Sequence, residues 1–250
     1  VADLQKELPC ASLQEVAQDG NREATPIRSV DGLKVRAGFR WNLGDEGVKY
    51  WWPQGISGTG AAYASEALGG KRLLLVSWYF KRSESRSLHN KGVRVSVVDV
   101  TSPRRVRYRH ILLVDPIRDA RGRATFKPVP VHAGGIAWVG RTLYVADTRR
   151  GFRVFDTHRI LRVSDGKKET IGRRGGRFHA FDYSYVLPQT GTYSLAPGSA
   201  KLRFSFVSVD RSTTPPSLLS GEYLKEKRSG RLARWSLAPS TGLLADGRPA

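Results

Sequence analysis

Cysteine is almost missing from this chain, and methionine is missing altogether: one and none in 250 residues. A single thiol cannot close an internal disulfide, so the chain is not one of the disulfide-stapled scaffolds common among small extracellular domains. Cys10 by default is a small apolar side chain; in an extracellular setting it is a candidate for a disulfide to a second polypeptide. A chain that opens at Val1 and holds no methionine reads as a processed mature protein, which implies a removed leader and a secreted, extracellular location. No apolar run approaches the roughly 18 residues that a membrane helix needs, so no helical membrane span is expected. Acidic residues are scarce as well, 22 Asp plus Glu against 42 Lys plus Arg, for a formal charge of +20. Such a field attracts polyanions, and the expected partner is an anionic polymer or a carbohydrate of the cell envelope.

Enzyme signatures are also wanting. There is no Walker loop, His-Glu-x-x-His or Cys-x-x-Cys. Gly55-Ile56-Ser57-Gly58 comes near a nucleophile elbow, but the sequence around it does not read as the strand-to-helix turn that exposes such a hydroxyl. The run Gly172-Arg173-Arg174-Gly175-Gly176-Arg177 contains the glycines and guanidiniums of a phosphate loop and reads more simply as a flexible connection.

What is present is a repeated strand-turn-strand unit. Each copy opens on a Gly-rich or Tyr-rich strand, turns at a loop carrying Lys71, Arg141 or Lys201, and enters a β-branched and aromatic second strand: Leu73 to Tyr79, Leu143 to Asp147, and Leu202 to Val209. A third strand follows Gly92, Gly151 or Gly230. Such a unit cannot bury both apolar faces alone, and radial packing of copies is the usual solution, so the expected fold class is all-β, a β-propeller. The units span about 50–116, 129–163 and 180–244, and Pro215-Pro216 interrupts the last of them. Three clear blades do not close a ring, and the expectation is about five, the rest coming from a missing segment or a second chain.

Residues 1–26 stand apart as a helical and extended segment ahead of a 27–250 propeller domain. Leu4, Leu8, Leu13 and Val16 recur at helical spacing, and Ser12-Leu13-Gln14-Glu15 has the form of a capping box. Residues 27–41 carry two short strands around an Asp31-Gly32 turn, expected to pair with the last unit.

The phrases GISGTGAAY…KRLLLVSWY, HAGGIAWVGRTLYVADTRRGFRVFD and KLRFSFVSVD…GRLARWSL resemble secreted β-propeller proteins of actinobacteria. The likeness covers about 50–244, and LYVAD…G…VFD is shared with lactonase-like and kelch-like propellers. It implies about five blades in the complete protein and brings no biochemical role with it.

In a propeller, ligands bind where the loops leading the innermost strands meet. Those loops carry Gln54 and Trp52 in the first unit, His132 in the second, and His179 and Tyr183 in the third. Asp147 and Asp210 end second strands, where they either cap turns or reach the same mouth. His132 with Asp147 is therefore the candidate catalytic pair, with a divalent cation as the candidate cofactor, and Gln54, Trp52, His132, His179, Tyr183 and Asp210 are candidate ligand contacts. Two readings follow: a secreted recognition module that binds an anionic polymer or envelope ligand, and a propeller hydrolase or lyase built on the His/Asp pair. The fold alone cannot choose between them.

Overall fold

The computed structural model describes residues 1–199, 202–225 and 229–245, which form an all-β protein with short helices. Lys201 lies outside the described residues. Four strands make an antiparallel meander in the first unit: β1 (Trp51–Gly58), β2 (Leu73–Phe80), β3 (Val93–Asp99) and β4 (Arg107–Arg118). β5 (Ala124–Pro128) folds back along the end of β4. The second unit contains β6 (Ile136–Val139), β7 (Thr142–Asp147), β8 (Gly151–Asp156) and β9 (Tyr185–Tyr193), each antiparallel to the one before. The third is a separate three-stranded sheet, β10 (Phe206–Asp210), β11 (Ser217–Gly221) and β12 (Leu232–Ser236).

β9 also runs parallel to β4, with Leu112, Leu113 and Val114 opposite Val186, Leu187 and Pro188. The first two units thereby join into one mixed sheet of eight strands in the order β6-β7-β8-β9-β4-β3-β2-β1. Its two ends approach each other, since the Trp138 amide of β6 donates to Ser57 Oγ of β1 at 3.0 Å. The sheet is a nearly closed, barrel-like wrap.

Alternation decides which side chains enter it. Leu73 and Leu75, Val93, Val95 and Val97, and Ile111 and Leu113 point inward, where they meet Ile136, Trp138, Leu143, Val145, Phe155 and Tyr185 of the second unit. Fully burying each such chain contributes on the order of 1.5–3 kcal/mol. The opening is plugged by helix α1 (Leu13–Gln18), which adds Leu13, Val16 and Ala17 to the same core. The capping box forms as the sequence indicates: Ser12 Oγ accepts from the Glu15 amide and Glu15 Oε2 accepts from the Ser12 amide at 2.7 Å.

The first strands of the three units converge. A Cβ built on Gly55 would come within 2.6 Å of the Ile136 nitrogen, and one on Gly134 or Gly135 would run into the backbone of residues 205–207. Only glycine permits this backbone-to-backbone approach.

Four expectations need correction. The strand in FDYSYVLPQTGTYS does not open the third unit; it is β9, the last strand of the second, because 160–180 insert a short strand and a hairpin that displace it in sequence. The third unit therefore begins at Phe206, and the segment after Pro216 is its middle strand rather than an interruption. The Gly172–Arg177 run is no loose connection: Ile171–Arg174 pairs with Arg177–Ala180 around Gly175 and Gly176. The hairpin at Asp31-Gly32 forms between Ser29–Val30 and Leu33–Lys34 but pairs with no strand of the last unit. Phe39 and Trp41, which follow it, pack instead on the outer face of the first unit, against the cluster that holds Trp78, Phe80 and Tyr108.

Candidate functional site

Of the expected site residues, Trp52 and His132 meet the same ring, Tyr79, and the others have separate partners. Trp52 is exposed on β1, its Nε1 donating to Lys49 O at 2.7 Å, with Lys81 Nζ 4.7 Å from its ring centroid. Across the ladder from it stands Tyr79, and His132 stacks on Tyr79 at 4.3 Å. Desolvation of the imidazole against its neighbours lowers its pKa below the ordinary histidine value. The adjoining Ala133 has φ +52° and its carbonyl accepts from Ser77 Oγ, which fixes the loop that presents His132. Gln54 turns onto its own neighbour, Nε2 donating to Pro53 O.

Both aspartates are held by arginine. Asp147 Oδ2 accepts from Arg153 Nε at 2.9 Å and its Oδ1 from the Arg149 amide, while Asp210 pairs with Arg234 and accepts from the Ser212 amide. Among the described residues no hydrogen bond joins His132 to Asp147. His179 is buried, with Nδ1 3.2 Å from Ser164 O. Among the described residues no group of three His, Cys, Asp or Glu side chains is disposed to hold a metal ion. Ser57 does end a strand that runs into a one-turn helix, Thr59–Ala62, contrary to the expectation for that motif, but its Oγ is occupied by the Trp138 amide.

Of the expected residues Tyr183 alone lines the polar cavity of about 710 Å³ on the outer face of the first unit. The register of that sheet builds the floor: His110 stands opposite Ser96 and Arg94 opposite Trp78, all on the face away from the Leu/Val core. A one-turn helix, Leu43–Glu46, capped by Asn42, lowers Asp45 onto them. Asp45 Oδ1 accepts from Arg94 Nη2 at 2.9 Å and from His110 Nε2 at 3.0 Å; Oδ2 accepts from Tyr108 Oη at 2.7 Å and forms an ion pair with Arg22 Nε, 2.9 Å away.

This network fixes the tautomer of His110. Trp78 Nε1 can only donate, and it does so to Ser96 Oγ at 2.8 Å; the Ser96 proton is thereby directed to His110 Nδ1 at 3.0 Å, which leaves Nε2–H for Asp45. Burial and the charge of Arg94 push the His110 pKa down to about 3, so the ring is neutral. Burial by itself would raise the Asp45 carboxyl, but the bonds from His110 and Tyr108 and the Arg94 charge outweigh it and hold the group well below the ordinary carboxylate range. The order Ser96–His110–Asp45 has the members of a hydrolase relay. Ser96 is completely buried beneath Trp78, however, so its hydroxyl meets no substrate.

A second feature is a cleft of about 720 Å³ at the rim of the second unit, between the 148–150 turn and residues 194–199 and 202–204. Arg149, Arg150 and Arg203 line it together with Ser194 and Ser199. Among the described residues none of the three guanidiniums is in an ion pair, in contrast to Arg141, Arg153 and Arg159 of the same unit.

No family model matches the chain, and comparison with curated proteins and with solved structures likewise finds no match. Sequence reasoning missed Asp45, Arg94, Ser96 and His110. The sequence carries part of the signal: Val-Arg-Val-Ser-Val alternates as a half-exposed strand does, whereas the aromatic cover from 39–52 that buries its polar side comes from a segment distant in sequence.

Proposed function

We propose that the chain is a secreted β-propeller recognition module that binds an anionic polymer or envelope component. The observation that carries this reading is the cleft lined by Arg149, Arg150 and Arg203, three guanidiniums in no ion pair among the described residues, in a chain of charge +20. Arginine forks of this kind pair with carboxylate, sulfate or phosphate groups, and release of counterions drives the association. The divergent partners of His132 and Asp147 weigh against the hydrolase or lyase reading.

The three antiparallel units, whose first strands converge, are the blades of a propeller of about five, as the resemblance to secreted actinobacterial propellers implies. The remainder comes from a downstream segment or a second chain, with Cys10, exposed and unpaired among the described residues, available for a disulfide to it. The outward side of the third unit supports this: Phe206, Leu232 and Tyr223 are exposed where a further blade would pack.

The test is binding to heparin and to polyphosphate across a salt series. Affinity is expected to fall steeply with salt, and replacing Arg149, Arg150 and Arg203 by serine should reduce the log–log slope by about two to three. Unchanged slope and affinity in the triple variant would overturn the assignment of the cleft.

A further inference from the structure

We propose that the cavity above Arg94 is a binding site for a small organic carboxylate, held by Arg94 and Tyr183, and separate from the arginine cleft. Two guanidiniums, Arg22 and Arg94, share the single carboxylate of Asp45, which also accepts from His110 and Tyr108. His110 is neutral. One positive charge is therefore left over at the cavity floor, shared between Arg94, only 3% exposed, and Arg22, whose side chain is 32% exposed. A buried guanidinium whose only carboxylate is shared is incompletely neutralised, and an anionic ligand would complete it.

Among the described residues no carboxylate of the cavity wall other than Asp45 pairs with Arg94. Glu169 is taken by Lys91 and Ser87, Glu84 by Lys81, and Asp182 accepts from the Gly166 amide. Arg94 also has donors to give. Of its five N–H groups, Nη2 reaches Asp45, Nη1 makes a long contact of 3.5 Å with the Tyr183 hydroxyl, and buried Nε has no partner among the described residues.

Geometry selects the ligand group. The indoles of Trp51 and Trp78 lie 4.6 and 4.7 Å from the guanidinium carbon. With two aromatic rings against the guanidinium, its edge is the part left to a ligand, and a planar carboxylate matches that fork with N–H···O bonds in its plane. The Tyr183 hydroxyl donates to nothing else among the described residues, and burial keeps it protonated, so it supplies a further donor beside Arg94. Tyr50, Trp51 and Phe80 give the cavity apolar walls for the ligand's body, Arg109 and Lys168 stand on its rim, and its size is that of ordinary small-molecule sites.

The experiment is calorimetric titration of the whole chain with acetate, benzoate and glucuronate, with phosphate and glucose as controls. At least one carboxylate is expected to bind one to one, with glucose silent and phosphate weaker. Arg94→Met should weaken binding by roughly 10-fold or more and Tyr183→Phe by a few-fold, the range of a charged and a neutral hydrogen bond. The triple serine variant of the cleft should bind the carboxylate as the parent does, which separates this site from the polymer reading. Tyr183→Phe removes one hydroxyl with a single long contact, so it decides the matter if Arg94→Met fails to fold. Absence of binding by all three carboxylates, preference for phosphate, or unchanged affinity in Tyr183→Phe would overturn the proposal.

Discussion

Acid should weaken this protein well before its carboxylates titrate, and His110 is the cause. In the folded chain its pKa is pushed down to about 3 by burial and by Arg94, whereas an unfolded histidine titrates near 6.5. Between those values the unfolded chain binds the extra proton, so stability falls as pH falls. The slope approaches about 1.4 kcal/mol per pH unit, and from pH 7 to 4.5 the loss comes to about 2.5 kcal/mol. Asp45 acts in the same direction but only below its unfolded value near 4, since its folded pKa is depressed: its contribution is complete above that value and is lost at lower pH. Urea denaturation followed by tryptophan fluorescence, repeated across pH 7 to 4.5, measures the slope. His110→Gln can keep a donor toward Asp45 and an acceptor toward Ser96 without titrating; it should cost about 1–3 kcal/mol at pH 7 and lower the slope by close to one proton. A parent protein whose stability is flat over this range, or a glutamine variant with the parental slope, would refute the reasoning.

Two further outcomes are expected. Gly135→Val places a side chain where the backbone of Phe206 and Val207 already sits, and should detach the third unit: calorimetry is expected to show loss of about 1–3 kcal/mol or more, with residues 206–236 newly sensitive to protease, while Gly140→Ala near the open turn should not produce that sensitivity. Native mass spectrometry of the chain is expected to show self-association or capture of a completing segment, and a stable monomer of 27.7 kDa across concentrations would remove the incomplete-propeller reading.

The strands were legible where alternation and turn chemistry agreed. Leu73–Phe80 and Thr142–Asp147 fall close to where β-branched and aromatic residues follow a glycine turn, and Ser12 with Glu15 announced its helix through a local reciprocal bond. Local signals do not say which strands are neighbours. Tyr185–Tyr193 has the composition of any strand, and its place beside Arg107–Arg118 depends on a pairing across more than seventy residues. The candidate cavity was illegible for the same reason: Arg94 and His110 look like solvent-facing positions until the 39–52 segment, distant in sequence, lies over them. Asp99 and Asp156, by contrast, cap turns through purely local bonds, each accepting from an amide two residues on, that of Thr101 or His158.

The parallel seam between β4 and β9 has a consequence for how the chain comes into being. Repeat proteins often gain structure copy by copy, each new unit settling on a finished one. Here Arg107–Arg118 pairs early with residues 22–23 and 124–128, but Leu112 to Val114 cannot complete their pairing until Tyr185–Tyr193 has been synthesised, so the middle of that edge waits while more than seventy residues emerge. The first two units then gain their structure together or not at all, as one cooperative block, and the three-stranded unit behind them is an outlying foldon that can open while the block stays closed.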